Sequence, residues 1–294
     1  MFDLRYHVAS LTAVFVALVI GILVGIGLSG RGFVNDAERR NLMSQIASLK
    51  AERDAANGLL DAAERGRRAL QDFATGTYPV LVAGRLQGKR VAVLFVGPVD
   101  PTVSFAVARA VRDAGGRIVR TRAIGVPLEE QRVQDALAAQ PALDGYAGPD
   151  SIDELARGLA REFAGGGKTP LWDALDGVIV EEQSGPSRTP ADAVVVARPA
   201  APQRGPTKQF LSSLYSGLAR SGAPAVGVEE SGVVPSAIPA FARGGLSTVD
   251  SVETAAGRLA LVLVLDGAQP GSYGVEEDAG DGVLPPIETT PPRG

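Results

Sequence analysis

The stretch "KRVAVLFVG" (89–97) decides the fold class, because it is an apolar, β-branched run that ends in glycine and therefore predicts a buried strand. The next segment, "DPTVSFAVARAVRDAGG" (100–116), has the pattern of a helix, with Asp100 as N-cap and Gly115 at its end. A second strand, "RIVRTRAI" (117–124), follows directly. This strand–helix–strand order is typical of a parallel sheet and predicts an α/β domain.

The same alternation continues through the rest of the body. Further helices are predicted near 128–139, 151–164 and 207–222, and further strands at 175–182, 191–199 and 223–230. A final helix is expected within 247–267, with Asp250 and Glu253 as a capping box at its start. Together these elements predict a small, doubly wound, Rossmann-like parallel-sheet domain over residues 79–267. Residues 268–294 are rich in proline, glycine and acidic residues, which predicts a disordered tail.

Upstream of the body, the chain has the pattern of a single transmembrane helix at residues 9–29, after a short N-terminal tail of residues 1–8. Residues 9–28 carry no charged side chain, and a helix of that length rises ~30 Å, the thickness of the hydrocarbon core. A cleaved secretory signal is the alternative, although its apolar core is usually only ~7–15 residues long. We expect an uncleaved anchor, and the charges that flank the segment leave its orientation open.

Small residues recur at every fourth position of this apolar segment, and Ala17, Gly21 and Gly25 are close enough in angle to face one partner helix. Helices in lipid associate through close backbone packing, which small residues permit. The pattern therefore predicts a flank that packs against a second copy or against another protein. The alternative is that glycine and alanine are simply frequent in membrane helices.

Residues 36–74 predict a charged, coiled-coil-like helical stalk. Leucine or alanine recurs seven residues apart at Leu42, Leu49, Ala56, Ala63 and Leu70. Arginine occupies three of the companion positions, so the apolar seam is weak. Either the stalk pairs because the membrane helix holds two copies together, or it is a lone solvated helix.

Composition excludes several classes of protein. The chain has 294 residues, a net charge of −4, no cysteine, one histidine and two methionines. Disulfides, cysteine-based zinc sites and histidine-rich metal sites are thereby excluded, and nothing favours nucleic acid binding. The turn after the first strand, "GPVDPT" (97–102), lacks the glycine pattern that cradles a dinucleotide phosphate. We therefore expect neither an enzyme nor a bound cofactor.

Two similar acidic segments, "VEEQSG" (180–185) and "VEESG" (228–232), each end an apolar strand. Glu181, Glu182, Glu229 and Glu230 could converge at the carboxyl edge of the sheet and hold a hard cation such as Mg²⁺ or Ca²⁺. The alternative is that they are solvated acids, since adjacent residues of a strand point to opposite sides.

Three segments together carry a family resemblance: "FDLRYHVASLTAVFVALVIGILVGIGL" (2–28), "STVDSVETAAGRLALVLVL" (247–265) and "GSYG" (271–274). In this order the chain resembles the actinobacterial MctB family, named for mycobacterial copper transport protein B. The resemblance implies copper transport, with copper as the transported ion, and a body outside the cytoplasm, in the cell membrane or the outer envelope. Relatives such as the SteB-like proteins imply a role in envelope maintenance and cell separation instead. No copper-binding residue can be carried over, because cysteine is absent and methionine and histidine are scarce.

Overall fold

The computed structural model describes residues 4–29, 36–186, 188–198 and 201–287. The chain divides into two compact units, Met1–Arg68 and Ala69–Gly294. The second unit contains the sheet and both hydrophobic cores.

Helix α1 (Leu4–Ser29) contains the predicted membrane segment. Its stretch His7–Gly27 is long and apolar enough to cross a membrane, and none of it is buried within the chain. The helix begins at Leu4, so residues 4–8 of the predicted tail are helical. Their local sequence, "LRYHV", holds neither proline nor glycine that would stop the helix.

Helix α2 (Asp36–Val82) contains the predicted stalk, 36–74, and extends beyond it. The additional turns are stabilised by burial, because Tyr78 and Val82 pack into a core of the second unit with exposed fractions of 3% and 0%. Along the stalk, by contrast, the large apolar side chains are mostly exposed: Leu42, Ile46, Leu49, Leu60 and Leu70.

Seven strands form one sheet, in the order β3-β2-β1-β4-β5-β6-β7. The strands are β1 (Arg90–Val96), β2 (Arg117–Ile124), β3 (Val180–Ser184), β4 (Ala193–Ala197), β5 (Ala225–Val228), β6 (Ser247–Val249) and β7 (Ser272–Tyr273). All neighbouring pairs are parallel except β2 and β3, which are antiparallel. The Rossmann-like α/β class is thus confirmed, with one antiparallel edge strand added.

Helices cover both faces of the sheet and enclose a separate core on each side. Ala92, Leu94 and Val96 of β1 face one core, while the alternating residues Val91 and Val93 face the other. The first core is closed by α4 (Glu130–Ala138), α5 (Ile152–Gly165), α6 (Pro170–Ala174), α7 (Gly205–Ala219) and α8 (Ile238–Arg243). The second is closed by α3 (Pro101–Asp113), α9 (Ala255–Asp266) and the end of α2. Because both faces are buried, the central strands are apolar throughout.

The ends of α3 follow the sequence prediction. The Val103 N–H donates a 2.9 Å hydrogen bond to Asp100 Oδ1, and Gly115 has the positive φ of +81° that a chain reversal after a helix needs. The predicted capping box of Asp250 and Glu253 is wrong. Helix α9 begins at Ala255, and its N-cap is Thr254, whose hydroxyl oxygen accepts from the Gly257 N–H at 3.0 Å.

The prediction of a disordered tail over 268–294 is wrong for residues 268–287. Strand β7 pairs with β6, and Tyr273 is only 3% exposed. The Tyr273 hydroxyl donates to the Gln269 carbonyl at 2.8 Å, and Leu284 packs against the same core. Tyr273 and Leu284 thus attach a polar segment to the core, and the average composition of the segment does not reveal such isolated apolar contacts. Residues 288–294 lie outside the described part of the chain.

Candidate functional site

Strands β1, β4, β5 and β6 are parallel, so they end at one edge of the sheet. The chain passes from β1 outward to β2, and later from β4 outward to β5, so the strand order reverses between β1 and β4. Open α/β sheets bind ligands at such a reversal, outside the carboxyl ends of the strands. A cleft of about 80 Å³ lies there, lined by residues that include Asp100, Arg198, Glu229 and Glu230.

Glu229 is the most buried acid of this cleft, with 5% of its surface exposed. Its Oε1 accepts from the Ser236 hydroxyl and its Oε2 accepts from the Ala237 N–H, both at 2.7 Å. Burial raises the pKa of the Glu229 carboxyl above its ordinary value, and the nearby carboxyls of Asp250 and Asp278 add to the rise. Glu229 therefore closes the loop that follows β5, and both of its oxygens already have partners.

Glu230 is half-buried beside it. Its pKa is raised first by burial and then by the charges of Asp100 and Glu253. Asp100 caps α3, and Glu253 accepts hydrogen bonds from Ser231, including one from the Ser231 N–H to Oε2 at 3.3 Å. Asp100, Glu229 and Glu253 thus accept hydrogen bonds from loop or helix-end residues of the chain itself.

Glu181 lies at the start of β3, next to the end of β2, and its carboxyl group faces Gly125. It is on the same edge as Glu229, but β2, β1 and β4 stand between their strands. Four strand spacings of ~4.8 Å separate such positions by ~19 Å. Glu182 belongs to β3, and its side chain lies outside the described part of the structure.

The expected convergence of the four glutamates is therefore not found. Within residues 4–29, 36–186, 188–198 and 201–287, no group of three or more His, Asp or Glu side chains is placed to hold a metal ion. The prediction that both "VEE" segments end apolar strands is wrong for the first of them. The strand predicted over 175–182 begins only at Val180, as the antiparallel β3, so Glu181 lies near its start. The repeated pattern also does not show how many strands lie between the two segments.

Two of the segments that carried the resemblance meet at this edge. Val249 of β6 pairs with Tyr273 of β7. Asp250, 1% exposed, accepts from the Val275 N–H at 2.8 Å and from the Glu276 N–H at 3.1 Å. A Cβ at Gly274 would lie 2.0 Å from the Asp250 carboxyl carbon, so only glycine fits there. We call these four residues, Asp250, Gly274, Val275 and Glu276, the Asp250 clasp.

The buried Glu229 carboxyl predicts a specific pH dependence of stability. Its pKa is higher in the folded chain than the ordinary value of 4.5, so the folded state retains a proton that the unfolded state has lost. The free energy of unfolding should therefore fall as pH rises upward from about 4.5. Glu162, whose pKa burial also raises, acts in the same direction.

This expectation can be measured as the urea midpoint between pH 4.5 and 7. Glu229→Gln keeps the shape of the side chain but cannot ionise, so its midpoint should decline less steeply than that of the parent. The exposed Glu181→Gln replacement controls for the loss of one negative charge. Equal slopes for the parent and Glu229→Gln would contradict the prediction.

Comparison with known proteins identifies the family. The description "Copper transport outer membrane protein, MctB" belongs to a family model that matches residues 1–284. Copper transporter MctB of Mycobacterium bovis is 32% identical over 123 residues, which are 41% of this chain and 37% of the relative. Its counterpart in Mycobacterium tuberculosis matches to the same extent. The chain thus aligns with little more than a third of the curated relatives' length, whereas the family match covers nearly all of the chain. The resemblance found from three segments is confirmed: the chain belongs to the MctB family.

Proposed function

We propose that this chain acts in copper transport or copper homeostasis at the cell envelope, as a membrane-anchored protein without enzymatic activity. The observation that carries the proposal is the family match over residues 1–284. The mycobacterial relatives are named copper transporters, and the proposal extends that activity to this chain. Copper is here the cargo and not a resident cofactor.

The chemistry of the chain favours an indirect role in moving the ion. Copper binds well to cysteine, methionine and histidine, and the chain has no cysteine, two methionines and one histidine. The described residues contain one helix long and apolar enough to cross a membrane, and a single such helix cannot enclose a pore. Transport would therefore require several copies of α1 or the helices of a partner, and we propose such an assembly.

The described surfaces of α1 and α2 are consistent with assembly. A Cβ added at Gly21 or Gly25 would meet nothing within 4 Å in the single chain, so that flank of α1 is open. Ile46 and Leu49 of α2 are more than 60% exposed. A second copy, or a partner with a similar helix, would cover both surfaces. We further propose a single-pass topology with the body outside the cytoplasm, in the cell membrane or, as the family description states, the outer membrane.

A second candidate function is that of an envelope scaffold in cell separation. The scarcity of copper ligands in the composition and the long exposed stalk favour it. A scaffold needs an anchor, a spacer and a binding body, and it needs no path for an ion.

A deletion strain of the native host separates the two functions. If the chain handles copper, cells that lack it should accumulate several times more copper than the parent in copper-supplemented medium, as measured by mass spectrometry of washed cells. The wild-type gene should restore the parental content. Unchanged copper with chained, unseparated cells would overturn the copper proposal and select the scaffold.

The same strain tests the assembly. Gly21→Ile with Gly25→Ile places branched side chains on the small-residue flank, and recovery of one tagged copy with another should fall about tenfold, which corresponds to ~1.4 kcal/mol of lost packing. Gly27→Ile is the control, because that residue points about 120° away from the centre of the flank formed by Ala17, Gly21 and Gly25. Equal recovery of the double variant and the control would show that this flank does not mediate association.

A further inference from the structure

A second recess in the body, which we call the basic pocket, lies beside the residue that follows β4, between α7 and α8. Its polar lining consists of Arg198, Gln203, Lys208, Ser212, Tyr215 and Arg243. Its volume is about 430 Å³, which is within the range of ~300–1,000 Å³ typical of small-molecule sites. Glu229 and Glu230 are not among its lining residues, although Arg198 also lines the cleft that contains them.

The charge of the basic pocket is one-sided. Arg198, Lys208 and Arg243 contribute three cations, and no acid is among the lining residues. None of the three forms a salt bridge with another residue of the described ranges. The chain as a whole carries a net charge of −4, whereas the lining of the basic pocket is positively charged. A pocket of this kind attracts anions and repels a copper ion.

Two buried polar side chains, Arg198 and Tyr215, lie beside each other in the pocket wall, with exposed fractions of 8% and 1%. Arg198 acts on the Tyr215 hydroxyl and lowers its pKa against the effect of burial, so the two groups partly satisfy each other. Neither Arg198 Nε nor the Tyr215 hydroxyl makes a hydrogen bond of good geometry with a described residue, so both keep hydrogen-bonding capacity for a ligand or for solvent.

The positions of these two groups are fixed by one aromatic ring. The Arg198 guanidinium carbon lies 5.9 Å from the centroid of the Phe241 ring, and Tyr215 packs edge-on against the same ring at 5.1 Å. Burial raises the pKa of Tyr215 to about 12, so its hydroxyl keeps its proton at neutral pH and can donate. The pocket therefore presents two buried donors beside two exposed cations, Lys208 and Arg243.

We propose that the basic pocket binds the phosphate group of a phosphorylated ligand. The planar fork of an arginine matches the oxygens of a phosphate, and a lysine ammonium adds a point charge. A diphosphate, with about three negative charges at neutral pH, would balance the three cations, and a phosphate dianion would leave one of them uncompensated, whereas one carboxylate would leave two. The phosphate could belong to a soluble molecule or to a lipid headgroup, because the recognised chemistry is the same. This inference is independent of the copper assignment.

Calorimetry on the full chain in neutral detergent at low ionic strength tests the proposal. Pyrophosphate and dihexanoyl phosphatidic acid are the two probes, with acetate as the monovalent comparison. We expect saturable binding of at least one phosphate probe. Binding of pyrophosphate indicates a soluble ligand, and binding of the phosphatidic acid alone indicates a headgroup; either result supports a phosphate site. Absence of saturable heat with both, or acetate bound equally tightly, overturns it.

Variants locate the binding. Lys208→Gln and Arg243→Gln replace exposed residues and should preserve the fold, and each should weaken binding about tenfold or more, as expected for a charge-assisted contact. Tyr215→Phe removes only the hydroxyl and should weaken binding several-fold. Arg220→Gln, at the end of α7 and outside the pocket lining, is the control and should change the dissociation constant less than twofold. If Arg220→Gln weakens binding as much as the pocket variants, the attraction is non-specific and the proposal fails.

Discussion

Replacing Gly257 by alanine is expected to lower the free energy of unfolding of the body by about 3 kcal/mol, at the upper end of overpacking effects. A Cβ at this position would lie 2.2 Å from the Ser251 carbonyl oxygen and 2.9 Å from the Val252 Cα. Both are backbone atoms, so no side chain can rotate away. The Ser251 carbonyl is itself held, because it accepts from the Thr254 N–H at 2.9 Å and from the Thr254 hydroxyl at 2.8 Å.

Urea unfolding followed by tryptophan fluorescence measures this effect. Trp172 is the sole tryptophan of the chain and is 3% exposed, so its emission reports the unfolding of the body. Gly165→Ala is the matched control, because Gly165 is the last residue of α5 and a Cβ there would meet nothing within 4 Å. We expect the control to remain within ~0.5 kcal/mol of the parent. If Gly257→Ala lowers the free energy of unfolding no more than the control does, the backbone at Ser251 and Val252 can move to accommodate the added Cβ.

The second large effect is expected at the Asp250 clasp. Asp250→Ala removes the acceptor of two backbone N–H groups, those of Val275 and Glu276. The buried partner is the Asp250 carboxylate, which is 1% exposed, and a hydrogen bond to a charged acceptor is worth ~1.5–3 kcal/mol. We therefore expect a loss of about 3 kcal/mol together with release of the segment after β7. Limited proteolysis should then cut within residues 268–287 of the variant and leave the parent intact.

The control for the clasp is Asp281→Ala. The Asp281 side chain accepts from the Ser272 N–H at 2.8 Å, but it is exposed, so its loss should cost less than ~1 kcal/mol because water replaces the acceptor. A further check is Gly274→Ala in the Asp250→Ala background. Its added cost should be smaller than in the parent, because the carboxyl group that a Cβ would meet is gone. If the losses in free energy of unfolding caused by the two replacements simply add, the close approach of Gly274 to the Asp250 carboxyl group would be contradicted.

The elements that the sequence predicted correctly are those whose signals are local. The cap of α3 depends on Asp100 and a backbone N–H three residues later, and both can be read from one short segment. The apolar runs of β1 and β4 reflect burial on both faces of a central strand. The family resemblance also depended on contiguous segments, and the match over residues 1–284 confirms it.

The features that the sequence did not reveal are set by contacts between distant segments. Asp250 has the spacing of a cap, yet the partners of its side chain lie at least 25 residues away along the chain. Strand β3 pairs antiparallel with β2, and a tight turn precedes it in which the Val178, Ile179 and Val180 N–H groups all donate to the Leu175 carbonyl. The basic pocket combines residues from 198 to 243, and its only local signal is Arg198 directly after an apolar strand.

The ordered segment after α9 has a consequence for solubility. Strand β7 has only two residues, but it occupies the outer side of β6 and so covers backbone groups that would otherwise be unpaired. Exposed strand edges recruit strands from other molecules and promote aggregation. A body shortened at Gly267 would lose this cover. Recombinant protein ending there is expected to aggregate through pairing of the exposed β6 edges of two molecules. Residues 268–287, which have the composition of a disordered tail, thus cover the exposed edge of β6 and protect the body from aggregation.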